Sequence, residues 1–292
     1  MGSADPVTID KKACYIYRYF LIGQGAKLKL GLTAILCDRG PYINEWVAFN
    51  YLVGFRKFYL YTHRCKDNTI EAINELKKHF DIKSFNVSES AKFPQFESYR
   101  HSYLQHNHEV DWMAFIDGDE FLFSPNSIDL QTQLEKFSYE RLSALGVYWA
   151  CYGSSNHIKE PTGLIIENFT HRAELDFPKN KHIKSLVIGH QGATVKINNA
   201  HYFETQYGTF DELMRPISWG LSEHAPNHEF FRINHYVTQS YNYYLEKKSQ
   251  YVRPDWGTKR ETNYWEEHNK NDVDDSSMEK FLPPLRQIMS SL

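Results

Sequence analysis

The sequence predicts an α/β fold built on a mostly parallel sheet, with a second half of mixed character. Three observations predict it. Short apolar runs alternate with helix-like segments over roughly the first 120 residues, and such alternation implies a parallel sheet with helices on both faces. One run, residues 112–116, ends in Asp117, Asp119 and Glu120, three carboxylates within four residues. That is where parallel sheets bind ligands, at the carboxyl ends of strands. From Leu145 onward the runs become short and strand-like with loops between them, which suggests more antiparallel pairing.

Residues 30–37 are a short apolar run and read as the first strand. Asp38-Arg39-Gly40-Pro41 breaks it, and Pro41 sits near a helix start, where the missing N–H is tolerated. Residues 45–53 carry Trp46, Val47, Phe49, Leu52 and Val53 at helical spacing, with Gly54 as a stop. Residues 57–61 are the second strand. Asp67-Asn68-Thr69 reads as a cap on a helix over 70–80. Residues 82–87 give the third strand, 97–108 a helix, and 113–116 the fourth strand. In the second half, residues 146–151, 163–169, 182–188 and 193–197 are expected to be strands. Residues 205–229 show little periodicity and read as a long loop, a kind of segment that is often functional. Residues 241–248 form a helix, and the tail from 269 to 292 is polar, then amphipathic.

Bulk composition narrows the function. Lys plus Arg number 33 and Asp plus Glu 36, for a net charge of -3, so no global basic field exists to hold nucleic acid. The 20 Tyr, 19 Phe and 6 Trp supply a sizeable core and clefts with polar-tipped walls. Cys14, Cys37, Cys65 and Cys151 show no metal-finger spacing; Cys37 and Cys151 lie in apolar runs and are expected to be buried thiols. No run approaches the ~20 apolar residues of a membrane span, and no signal peptide is legible at the start. A cytoplasmic location is expected, with peripheral association at the inner membrane face as an extension of it.

The acid cluster carries the chemistry. An unpaired carboxylate at the end of a buried strand is costly, so these acids need a cation or donors. If the extended geometry continues, Asp117 and Asp119 point the same way and Glu120 the other. Two hard oxygen ligands on one side suit Mg2+ or Mn2+, particularly with phosphate oxygens present. The plain alternative is a solvated acidic turn between two strands.

Further motifs extend the reading. Ile35-Leu36-Cys37-Asp38 with Pro41-Tyr42-Ile43-Asn44-Glu45-Trp46, then Phe58 to Tyr61, then Asp67-Asn68-Thr69, resemble the start of GT-A fold glycosyltransferases of the family 92 kind. The acid motif is similar to that family's metal motif. Tyr152-Gly153-Ser154-Ser155-Asn156-His157, Lys184-Ser185, His201-Tyr202-Phe203, the block from Ile233 to Ser240 with Lys247, and Asn271 to Asp275 resemble further signatures in order. Two positions depart from the pattern: Asp38-Arg39 stands where the family has Asn-Glu, and Thr62-His63 where an acidic residue usually follows the second strand.

The resemblance implies a single GT-A domain over 1–292, with a nucleotide-binding half at 30–125 and an acceptor-binding half at 126–292. It implies a metal-dependent hexosyltransferase, inverting, with a UDP-sugar donor (galactose first) and a polysaccharide or glycolipid acceptor. Asp119 would bind Mn2+ or Mg2+, with Asp117 supporting and His235 as third ligand. Asp38, Thr62, Gln95, Tyr99, Asp117 and Lys184 would line the nucleotide site. A general base is needed on the acceptor side; Glu204 is placed first among Glu174, Asp176, Asp211 and Glu223, and His157 is expected to touch acceptor or phosphate. Residues 205–229, and the basic stretch 179–184, are expected to act as a lid that excludes water. The rival readings are a sugar nucleotidyltransferase, for which the loop at 38–41 is too poor in glycine, and a non-catalytic carbohydrate-binding protein, which would not need the acid cluster.

Overall fold

The computed structural model describes residues 27–137, 142–250, 255, 259 and 261–292; Cys14 lies outside them. The first half alternates as the sequence predicts. The strands are β1 (Leu30–Leu36), β2 (Phe55–Thr62), β3 (Asp81–Asn86) and β4 (Trp112–Phe115). Between them run α1 (Ile43–Leu52), α2 (Thr69–Leu76) and α3 (Pro94–His106). β1 pairs in parallel with β2 on one side and β4 on the other, and β2 pairs in parallel with β3. The chain therefore leaves β1 toward one edge of the sheet and returns to its other side. The carboxyl ends of β1 and β4 mark the switch point at which such sheets bind ligands.

The second half is mixed. It contains β5 (Glu120–Phe123), α4 (Leu130–Leu134), β6 (Ala144–Cys151), α5 (Ile165–Asn168), β7 (His171–Arg172) and β8 (Ile183–Ile188). It continues through β9 (Thr209–Phe210), β10 (Pro216–Ile217), β11 (Arg232–His235), α6 (Tyr241–Tyr243), α7 (Tyr264–His268), β12 (Val273–Asp274) and α8 (Leu282–Met289). β8 lies antiparallel between β4 and β6, so the main sheet runs β10-β9-β6-β8-β4-β1-β2-β3. β11 bridges β5, antiparallel, and β6, parallel. One cluster of buried apolar side chains runs from Leu30 and Trp46 through Phe121 and Tyr152 to Phe281 and Leu285, tying both halves to the C-terminal helix. No helix among the described residues is long and apolar enough to cross a membrane.

Two expected strands are not strands. Residues 163–169 fold as the short helix α5, because the buried Glu45 carboxylate accepts the Ile165 and Ile166 N–H groups at 2.7 and 3.0 Å. An anion there satisfies amides that a helix leaves orphaned. Residues 193–197 form a 3-10 turn at Gly192–Thr194 and a single bridge, Lys196 to Glu204. The long stretch 205–229 is tied down. Buried Asp211 accepts from Leu213 N, Arg215 N and Arg215 Nε, and Glu212 accepts from the N–H groups of Glu229, Phe230 and Phe231.

The glycine-serine loop after β6 also has a structural task. Ser154 N donates to Asn269 Oδ1 and Ser155 N to Asn271 Oδ1, both at 2.7 Å. These amides clamp the segment before β12. Gly153 sits so close that a Cβ would run into the Lys270 carbonyl and the Asn271 side chain. Gly153→Ala is expected to cost about 2 kcal/mol through this overpacking, read as a lower urea midpoint with an unchanged m value.

Candidate active site

The acid motif does not continue as an extended strand. Gly118 and Asp119 form a turn between β4 and β5, closed by Glu120 N donating to Asp117 O at 3.1 Å. The two aspartates consequently meet different cations. Asp117 Oδ2 accepts from Lys184 Nζ at 2.7 Å, and its Oδ1 accepts from Gln95 Nε2 at 2.8 Å and Tyr99 OH at 3.2 Å. Asp119 Oδ2 accepts from Lys248 Nζ at 2.8 Å, while its Oδ1 lies 3.7 Å from His235 Nε2. Glu120 turns inward: its Oε2 accepts from Asp117 N at 3.0 Å, and its Oε1 is 3.7 Å from Lys184 Nζ.

Register places His235. β11 pairs antiparallel with β5, setting His235 opposite Glu120, and Tyr236 N donates to Asp119 O at 3.0 Å. Trp149 packs against the imidazole, ring centroids 4.3 Å apart. Lys248 is placed by a helical irregularity. Ser240 caps α6, then Tyr244–Lys248 widens into a π turn, a form common at functional sites. Lys248 Nζ thereby reaches Asp119 and the Tyr236 and Val237 carbonyls, at 3.0 and 2.6 Å. The resemblance had pointed to Lys247; that residue is half-exposed, 3.8 Å from Asp38.

Burial and charge set the ionisation states. Burial alone would raise the Asp119 carboxyl, but Lys248, His235 and Arg39 hold it well below the usual carboxylate range. Burial pushes Glu120 well above that range, against the pull of Lys184. Lys184 stays charged: burial opposes this, and Asp117 and Glu120 outweigh burial. Burial lowers the His235 imidazole to about 3 despite Asp119. The unfolded chain protonates this imidazole below about pH 6.5, and the folded chain does so only near pH 3. The unfolded state therefore binds more protons across that window, and stability falls as pH drops from 6.5 toward 3. A urea midpoint lower at pH 5 than at pH 7, with a shallower slope in His235→Asn, is the expected result.

Asp119 and His235 suit a divalent cation. The 3.7 Å separation of Oδ1 and Nε2 is too long for a hydrogen bond. The carboxylate is ionised and the imidazole neutral, as metal ligands must be. Asp117, expected as a supporting ligand, has both oxygens taken by Lys184, Gln95 and Tyr99. Among the described residues no three His, Cys, Asp or Glu side chains form a group that could hold a metal ion; at this turn Asp119 and His235 are the pair that approach each other.

The structure thus brings together Gln95, Tyr99, Asp117, Asp119, Lys184 and His235. Asp38 and Thr62 sit at strand ends, engaged elsewhere. Asp38 has a left-handed φ of 50° and accepts from the amides of Lys66 and Asp67. Thr62 Oγ1 faces Asn86 Oδ1 at 3.4 Å. Glu204 is at the surface, held by Asn198 Nδ2 at 2.8 Å and Lys196 at 3.7 Å, with no described contact to the acid cluster. His157 Nε2 meets the Asn168 carbonyl at 3.0 Å. Lys184 is fully buried on β8 and does not belong to a mobile basic loop.

Sequence reasoning missed Lys248, Arg39 and Asp255. Arg39 donates through Nη1 to Gln239 Oε1 at 3.1 Å and to Tyr243 OH at 2.8 Å. Its side chain crosses Gly118, where a Cβ would stand 3.3 Å from Arg39 Cγ. Asp255 accepts from Gln95 N at 3.3 Å, and burial pushes its carboxyl up to about 6. Its signal was weak: an isolated aspartate in an aperiodic segment.

A glycosyltransferase family 92 protein of Oryza sativa subsp. japonica is 26% identical over 223 residues, covering 75% of this chain and 35% of that protein. One of Ricinus communis is 26% identical over 183 residues, covering 61% and 32%. The chain spans about a third of the length of the curated relatives it matches. Among solved structures, S. aureus TarS 1-349 overlaps at a TM-score of 0.38 with 12% identity, over 55% of this chain and 47% of that one. Glucosyl-3-phosphoglycerate synthase from Mycobacterium tuberculosis, solved with Mn2+, UDP and phosphoglyceric acid, overlaps at 0.32 with 12% identity, over 44% and 46%. The profile of glycosyltransferase family 92 matches residues 41–281, the greater part of the sequence, and the chain belongs to that family.

Proposed function

We propose that the chain transfers a hexosyl group, galactose first, from a UDP-linked donor to a glycan or glycolipid acceptor, with inversion. The observation that carries the reading is the pair of ionised Asp119 and neutral His235 at the sheet's switch point, spaced for a divalent cation. Mn2+ is the preferred ion, because an imidazole ligand favours it over Mg2+. When bound, it would neutralise the charge that develops on the leaving diphosphate. The other residues preorganise the site. Buried Lys184 fixes the partly exposed Asp117 through an ion pair, and Gln95 and Tyr99 orient the same carboxylate from α3. Lys248 fixes Asp119 so that Oδ1, and not Oδ2, faces His235. Trp149 packs against the His235 ring, and burial keeps the imidazole neutral. Family membership supports the reaction class.

The test is release of UDP from a panel of UDP-hexoses, with oligosaccharide and glycolipid acceptors and with Mn2+ or chelator. Acceptor-dependent, Mn2+-stimulated release from UDP-galactose is the expected result. Equal turnover in chelator would remove the cation from the account, and turnover of a different sugar nucleotide would replace the donor.

A further inference from the structure

Arg39 is unusual in this site. It is 7% exposed, yet only one edge of its guanidinium is satisfied. Nη1 donates to Gln239 and Tyr243, whereas Nε and Nη2 are buried with no hydrogen-bond partner. No carboxylate lies within 4.0 Å of it among the described residues. Leaving charged donors unpaired in a buried place is costly, so the position implies an acceptor from outside the chain. Nε–H and Nη2–H lie on the same edge and form the parallel fork that fits two oxygens of a phosphate.

Its placement names the acceptor more closely. Arg39 follows β1 and crosses Gly118, between the two aspartates of the turn, with a Cβ at Gly118 lying 3.5 Å from Nε. The Tyr42 ring lies 4.8 Å from its guanidinium carbon. Nearby, Lys184 is matched by Asp117 and Lys248 by Asp119, whereas Arg39 has no ion-pair partner among the described residues. An anion of two linked phosphates suits both this fork and the adjacent Asp119–His235 pair.

We infer that Arg39 binds the diphosphate of the nucleotide donor through its Nε and Nη2 edge. This rests on the reading of the switch point as a donor site and deepens it. It also gives a reason for Arg in place of the family's Glu after β1: the chain carries its own cation beside the one held by Asp119 and His235.

The experiment compares UDP, inorganic diphosphate and uridine by calorimetry and ligand-observed NMR with Mn2+ present, using the unaltered chain, Arg39→Met and Arg39→Lys. Arg39→Met is expected to weaken UDP and diphosphate by at least about 30-fold and uridine by less than about twofold, since the contact is to phosphate alone. Arg39→Lys keeps the charge and loses the fork, so its UDP affinity should fall by at least about fivefold with uridine again unchanged. Circular dichroism confirms folding, and Arg39→Lys decides the matter if Arg39→Met does not fold. If the unaltered chain binds UDP and the variants bind it equally well, or lose uridine in the same proportion, Arg39 is a packing residue and the inference is wrong. If the unaltered chain binds neither UDP nor diphosphate, the donor-site reading falls and the inference with it.

Discussion

Asp119→Asn is expected to lower turnover by more than about 100-fold, equivalent to ~3 kcal/mol, the scale of losing one preorganised electrostatic group. The side chain keeps its shape, so Lys248 Nζ keeps an oxygen acceptor there besides the Tyr236 and Val237 carbonyls. The variant should therefore fold, with a modestly lower melting temperature. The charged groups facing Asp119 are Lys248 and Arg39, so neutralising it removes attraction. Its loss should fall on the cation dependence: activity should no longer respond to Mn2+ titration. His235→Ala should shift the Mn2+ midpoint upward with a smaller loss of rate, because water can stand in for an imidazole.

Lys184→Met should have the largest effect on stability. Lys184 is fully buried and is the cation that compensates Asp117 and faces Glu120. The Asp117 side chain is 34% exposed, so water screens part of the lost attraction, and the substitution is expected to cost about 1–3 kcal/mol. Urea unfolding should show the loss, and adding Asp117→Asn to Lys184→Met should recover part of it, since both charges are then gone. A single variant as stable as the parent would mean that water reaches Asp117 freely and that the pair is a surface interaction.

The first half of the fold was legible because each strand there is short, apolar and bounded by Gly, Pro or a cap, and because strands and helices alternate. The second half was less so. Residues 163–169 are apolar enough to pass for a strand, and what makes them helical is Glu45, 120 positions away from Ile165. Period-two reasoning placed Asp117 and Asp119 on one side; the turn at Gly118 sends them to Lys184 and Lys248. The carboxylates of the site were readable as a cluster in sequence. Of its cations only Lys184 was expected there; Arg39 and Lys248 arrive from separate elements, and Lys248 only through a π turn that shifts it past the neighbouring Lys247. Nothing in the sequence showed that Glu204 lies at the surface, held by Asn198 and Lys196.

The most direct measurement is UDP binding by isothermal titration calorimetry, with Mn2+ and with chelator, on the unaltered chain and on Asp119→Asn. The account predicts that Mn2+ tightens UDP binding by at least about tenfold in the unaltered chain, and that this coupling vanishes in Asp119→Asn. No UDP binding in either condition, or a coupling that survives in a folded Asp119→Asn, would contradict it.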